Sequence, residues 1–425
     1  MSTQTVGAKS GTAAPADTAA HSAVKARLLY LDNLRTAAIT LVVLGHMAVS
    51  YGAAGDWYIQ GEGQTSPAAQ ILMLPLMAIG ASFMMGLLFL VAGYFTPRSY
   101  DRKGPGSFLL DRLKRLGIPL ILFAVVINPL CEYLVQAQAG EYQGSYWSFI
   151  PPYVRNLDSS GFGVTWFLEA LLIFSIFYAL WRLLTQPRPG EAGSDHRGSS
   201  GQTASERPER PETLTPGRAA VPSNLMIALF ALALGLATFL VRIWAPVNKY
   251  FEPEHLEFAH FPQYIALFAV GAVAYRRNWL TAFSDAQARL WRWVALVFVL
   301  LLPVLVVAAG ALSGQLDERG AGGFNWLSLA YSVWEGFMCL AMVITVLAWF
   351  RKRFNHQGRL ARAMSESSFA VYVLHPIIIV PLALALSGVQ INPTLMFLLA
   401  ASLAVALCYI FAYYFRKLPL VRNIF

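Results

Sequence analysis

Ionisable side chains stand inside long apolar runs of this chain. A histidine, His46, occurs in LLYLDNLRTAAITLVVLGHMAVS, a carboxylate, Glu169, in TWFLEALLIF, and a second histidine, His375, in FAVYVLHPIIIV. A charge at the centre of a spanning helix costs roughly 2.5–3.5 kcal/mol on insertion scales, so each such group is a candidate functional residue. A neutral imidazole accepts a proton near neutral pH, and a carboxylate beside it would orient the ring and favour its charged form. The alternative for His46 is a structural hydrogen bond to a neighbouring helix, and for Glu169 plain hydration at headgroup level. Arg35 precedes His46 by 11 residues. At 100° per residue that is within about 20° of three turns, so the two share one stripe and stand roughly 16 Å apart along the axis. Asp32 lies one turn before Arg35, the spacing of an interfacial ion pair. Arg112 and Arg115 in FLLDRLKRLGIP share a helical face. Two guanidiniums there would clamp a phosphate, and would serve equally as interfacial anchors. Asn128, Glu335 and His375 are further polar groups in apolar surroundings and are candidates, with Asp32, for lining a cavity.

The elements that must hold these residues follow from composition. Hydrophobic residues make up 56% of the 425, charged residues only 13%, and mean hydropathy is +0.51. That balance excludes a disordered chain and an ordinary soluble enzyme, and predicts an all-α integral membrane protein. Ten apolar runs between 34 and 414 are long enough, or nearly so, to span; the sixth, 262–276, is the shortest, and the ninth covers 368–388 with His375 and Pro376 about halfway along, a possible kink. Residues 1–24 read as a disordered tail and 186–222, rich in Pro, Gly and charge, as a disordered linker. With the N-terminus in the cytoplasm, 28 of the 32 Lys and Arg fall on the cytoplasmic side, leaving Arg155, Arg242, Lys249 and Arg319 outside. Both termini are therefore expected to be cytoplasmic. The net charge of +9 reads as membrane topology, not as a nucleic-acid surface. Cys131, Cys339 and Cys408 lie in apolar stretches with no metal spacing. Glu252, Glu254, His255, Glu257 and His260 crowd one outer loop, but nothing fixes their spacing, and no metal site is expected. G-x-S-x-G, H-E-x-x-H and P-loop signatures are absent from the sequence.

Taken together and in order, LDNLRTAAITLVVLGH, FLVAGYFTPRSYDRKG, FLLDRLKRLGIPL, TWFLEALL, FPQYIALFAVGAVAY and FAVYVLHPII resemble the membrane acyltransferase-3 family over about residues 27–415. The resemblance implies an O-acyltransferase of the bacterial cytoplasmic membrane, using cytoplasmic acyl-CoA and no metal or prosthetic group. The acyl group would be of acetyl or succinyl type, and the acceptor a hydroxyl on a glycan, glycolipid or small molecule. It implies His46 as catalytic base, Glu169 as its carboxylate partner, Arg112, Arg115 and Arg35 as donor-binding groups, and it matches His375 to the family's late-helix tyrosine–histidine segment. A transporter or flippase for an acylated or glycosylated lipid is the competing reading of the same polar interior.

Overall fold

The computed structural model describes residues 28–53, 55, 57–59, 67–155, 162–185, 221–251, 255–310, 318–389 and 391–425. The expected tail 1–24 and nearly all of the expected linker 186–222 lie outside the described residues.

Of the described residues 81% are helical, and an isolated bridge between Phe251 and Leu256 is the extended pairing among them. In chain order the helices are α1 Leu29–Ser50, α2 Pro67–Lys103, α3 Pro105–Ala139, α4 Tyr146–Arg155, α5 Trp166–Thr185 and α6 Asn224–Arg242. They continue as α7 Phe261–Arg276, α8 Asp285–Ala308, α9 Trp326–Arg353, α10 Arg359–Leu374, α11 Pro376–Leu386 and α12 Pro393–Phe415. Nine helices among the described residues are long and apolar enough to cross a membrane, and ten if α10 and α11 form one broken span. The expected ninth span is that broken pair. It bends by 69° at His375–Pro376, because the proline has no N–H to continue the ladder and its ring clashes with the preceding turn. Prolines also mark α3, which contains two π-helical turns, Leu113–Gly117 and Phe123–Ile127, with Pro119 and Pro129 just beyond them.

The outward faces are apolar, as lipid requires: Leu225, Leu229, Leu236 and Leu240 on α6 and Leu300 and Val304 on α8 are exposed. Inward contacts use small residues. A Cβ at Gly271 of α7 would lie 2.1 Å from the Leu90 carbonyl of α2, and one at Gly336 of α9 would lie 2.5 Å from the Ala231 carbonyl of α6. Only glycine allows those backbones to approach so closely. One core gathers around α1, α3, α5 and α10–α12 and another around α2 and α6–α9. The first half of α1 packs into the second core and its latter half into the first, so the helix bearing Arg35 and His46 spans both.

Candidate active site

His46 lies one turn from the end of α1, and the chain then reverses: Ala53 N donates to the Ala48 carbonyl at 2.9 Å, and Gly52 takes φ 97°, a left-handed conformation natural to glycine. The segment that follows carries Trp57 back over the helix end. Its indole lies on the imidazole with ring centroids 4.1 Å apart and planes 9° apart. The segment is pinned from α3, where Tyr58 Oη donates to Asn128 Oδ1, and Asn128 Nδ2 donates to Tyr153 Oη of α4 at 3.1 Å. Asn128, expected as a lining residue, instead holds this cover in place.

The helix break delivers the second histidine. In an unbroken helix the residue at 376 would donate its N–H to the Tyr372 carbonyl. Proline cannot, and His375 Nδ1 occupies that carbonyl at 2.7 Å. A carbonyl only accepts, so Nδ1 carries the proton and His375 Nε2 is left as a bare lone pair. His375 Nε2 stands 2.9 Å from His46 Nδ1 and therefore accepts from it. The neutral His46 ring is thereby held with Nδ1 protonated and Nε2 open as a proton acceptor. His375 is fully buried, whereas His46 keeps partial exposure, as a base that meets a substrate must. The partner of the His46 ring is thus His375. Glu169, expected there, stands half-buried in the first turn of α5. It shares the neighbourhood: Tyr372 Oη donates to the Val164 carbonyl just before α5, and the Phe167 ring touches Tyr372.

The arginines converge at the other end of α1. Arg112 lies over the Phe108 ring at 5.2 Å and within electrostatic reach of both Arg35 and Arg115. Asp111 carries Lys103 at 2.7 Å and Arg115 at 3.3 Å, and Asp32 stands 3.9 Å from Arg35. Two further arginines adjoin them across the touching rings of Phe108 and Tyr100. Arg276 binds both oxygens of Asp101, at 2.9 and 3.0 Å, while Arg182 reaches the same carboxylate at 3.9 Å and lies over Tyr100. These cations outnumber the carboxylates among them, so the region attracts anions. Sequence reading found Arg35, Arg112 and Arg115 but not Arg182 or Arg276, whose helix-end positions read as anchoring.

Glu335, expected to line a cavity, is a buried partner of Arg242 and His260. Both its oxygens are engaged, one by Arg242 Nη2 and the other by His260 Nδ1 at 2.8 Å, and Arg242 also donates to Ser332 at 3.3 Å and lies over Tyr331. Arg242 is 0% exposed and Glu335 2%. Arg242, counted in the sequence among loop charges, is thus a buried partner that ties α6 to α9, and His260 ties the start of α7 to the same pair.

A family model described as an acyltransferase domain matches residues 28–413. The chain belongs to the acyltransferase-3 family. Neither a curated relative nor a solved structure matches the chain. The match covers the spans that carry both the histidine pair and the arginine cluster, and with nine or ten apolar spans this acyltransferase-3 protein is a multi-pass membrane protein. Its two candidate poles are joined by a single helix. Arg35 opens α1 at the anion-attracting end and His46 closes it at the imidazole pair.

Proposed function

We propose that this protein is an O-acyltransferase that moves an acetyl- or succinyl-type group from acyl-CoA to a hydroxyl of a glycan, glycolipid or small-molecule acceptor. It works in the bacterial cytoplasmic membrane with both termini on the cytoplasmic side. The reading rests on one observation: the hydrogen bond of 2.9 Å from His46 to His375, which leaves an acceptor nitrogen on the ring of a partly exposed residue. A histidine held in this way accepts the proton of an alcohol.

Coenzyme A is anionic through its phosphates, and Arg35, Arg112 and Arg115 would receive it at the basic end. The pantetheine arm then follows the Arg35–His46 stripe. At its tip His46 Nε2 takes the proton of the acceptor hydroxyl while the oxygen attacks the thioester carbonyl carbon. The C–S bond breaks as the carbonyl re-forms, and the proton on Nε2 passes to the departing sulfur, giving ester and free thiol. His375 acts as a positioning residue through His46. Glu169 of α5 would favour the transient imidazolium electrostatically.

The test is release of free thiol from acetyl-, succinyl- and longer acyl-CoA by the purified protein, in step with acceptor modification. His46→Ala should abolish release without loss of membrane insertion, and full activity in that variant overturns the reading. Arg112→Ala with Arg115→Ala should raise KM for the donor, and an unchanged KM removes their role. A flippase would move its lipid with no thiol formed.

A further inference from the structure

Base catalysis alone leaves one charge of this reaction without a partner. When the acceptor oxygen bonds to the thioester carbon, the carbonyl π pair moves onto oxygen, and that oxyanion needs hydrogen-bond donors placed before it forms. A donor suited to this would be buried and beside the base, with no acceptor of its own in the resting protein.

Trp57 meets each condition. Its side chain is only 7% exposed, and its Nε1 is buried without a hydrogen-bond partner. Indole N–H is a donor only and usually finds an acceptor when buried, since an unmade hydrogen bond to a buried group costs roughly 1–3 kcal/mol. Here the indole lies flat on His46 at 4.1 Å and also faces His375, with centroids 5.7 Å apart. The two imidazole rings are nearly parallel, 4° apart, and the indole is nearly parallel to both. An aromatic wall alone would not require tryptophan, because phenylalanine stacks as well without burying a polar atom. Trp57 is also anchored through its neighbour: Tyr58 is bonded to Asn128, and Trp57 packs edge-on against Tyr58 at 4.9 Å. Such fixed placement is what lets a donor act without reorganising during the reaction.

We infer that Trp57 is a catalytic residue of the acyl transfer, its indole Nε1–H donating to the thioester carbonyl oxygen as that oxygen becomes an oxyanion. The inference rests on the acyltransferase reading above. Attack forms the new C–O bond and places the electron pair on the oxygen held by Trp57. Collapse returns the pair to the carbonyl and expels sulfur, which takes the proton that His46 received from the acceptor. Trp57 keeps its own proton throughout.

The experiment is steady-state thiol release from acetyl-CoA by the purified full-length protein, comparing wild type with Trp57→Phe, Trp57→Ala and Trp57→His. Phenylalanine keeps the stacked ring and loses only the N–H. It should lower kcat about 10²-fold with KM for the donor changed less than about threefold, the pattern of a contact made in the transition state. Histidine, which restores a ring N–H, should recover part of that loss, and alanine should be no better than phenylalanine. Thermal unfolding of Trp57→Phe should match wild type, which separates lost chemistry from lost fold. Undiminished kcat in Trp57→Phe overturns the inference while leaving the acyltransferase reading intact. A parallel rise in KM with kcat preserved also overturns it, making Trp57 a binding wall. If wild type itself releases no thiol from any acyl-CoA, the underlying reading fails instead.

Discussion

Tyr372 and Pro376 stand four residues apart across the bend between α10 and α11, and the N–H that proline lacks is the reason the Tyr372 carbonyl is available to His375 Nδ1 at 2.7 Å. Backbone chemistry thus selects a side-chain tautomer, and that tautomer decides which nitrogen of His46, one ring away, is the acceptor.

Replacing Pro376 with alanine should restore an amide donor that competes with His375 for the Tyr372 carbonyl. The pair then loses its fixed tautomer, and thiol release should fall about tenfold while helix content and insertion stay as they are. Turnover measured beside far-ultraviolet circular dichroism checks this. Unchanged turnover would mean that the bend holds the ring by packing alone.

His375→Ala should lower kcat about 10²-fold, less than the loss from His46→Ala, since it removes orientation and not the base. Glutamine at 375 offers a carbonyl that can accept from His46 Nδ1 and should recover part of the rate. The variant lacking both histidines should be no worse than His46→Ala, because groups that act as a unit do not add. Additive losses would show that the two rings act separately.

Only a neutral His46 accepts a proton, so on the acid limb kcat/KM should drop about tenfold for each pH unit. His375→Gln should keep that slope, whereas a slope of two protons in wild type would mean that both rings must be neutral independently. Initial rates across a pH series at saturating acceptor decide between them.

The pair formed by Arg242 and Glu335 concerns stability. Both side chains are almost wholly buried, so Glu335→Leu alone strands a guanidinium and should cost about 3–5 kcal/mol. Arg242→Met combined with Glu335→Leu should regain most of that loss, because an apolar pair of similar volume needs no desolvated charge. Thermal unfolding in detergent gives both values. A double variant as unstable as the single one would show that Ser332, Tyr331 and His260 depend on the arginine itself.

Much of the architecture is legible in the chain because lipid imposes simple arithmetic. Runs of apolar residues near 20 long must be helices, and ten such runs correspond to nine spans plus the bent pair. His46, His375 and Arg112 stand out for the same reason, as costly groups in apolar surroundings. Their pairing does not, because His46 and His375 meet across 329 residues and no local spacing encodes that contact. The sequence points to Glu169 as the partner of His46, and the contact with His375, beside the bend at Pro376, carries no local signal. Arg242 escaped notice because a cation at a helix end reads as an anchor, and its burial depends on Glu335 of a helix nearly a hundred positions on. Trp57 carries no charge and sits between α1 and α2, where hydropathy has nothing to say.

The first helix also sets a length. Its arginine and its histidine are separated by roughly 16 Å of rise, more than half of a hydrocarbon layer of about 30 Å. A carrier anchored by its charged head at one mark delivers its reactive tip to the other only if its arm has that reach. α1 would therefore act as a ruler that admits activated groups by the length of their handle, whatever acyl chain the handle bears. The dangling arm of the donor would then cover about half of the depth of the bilayer.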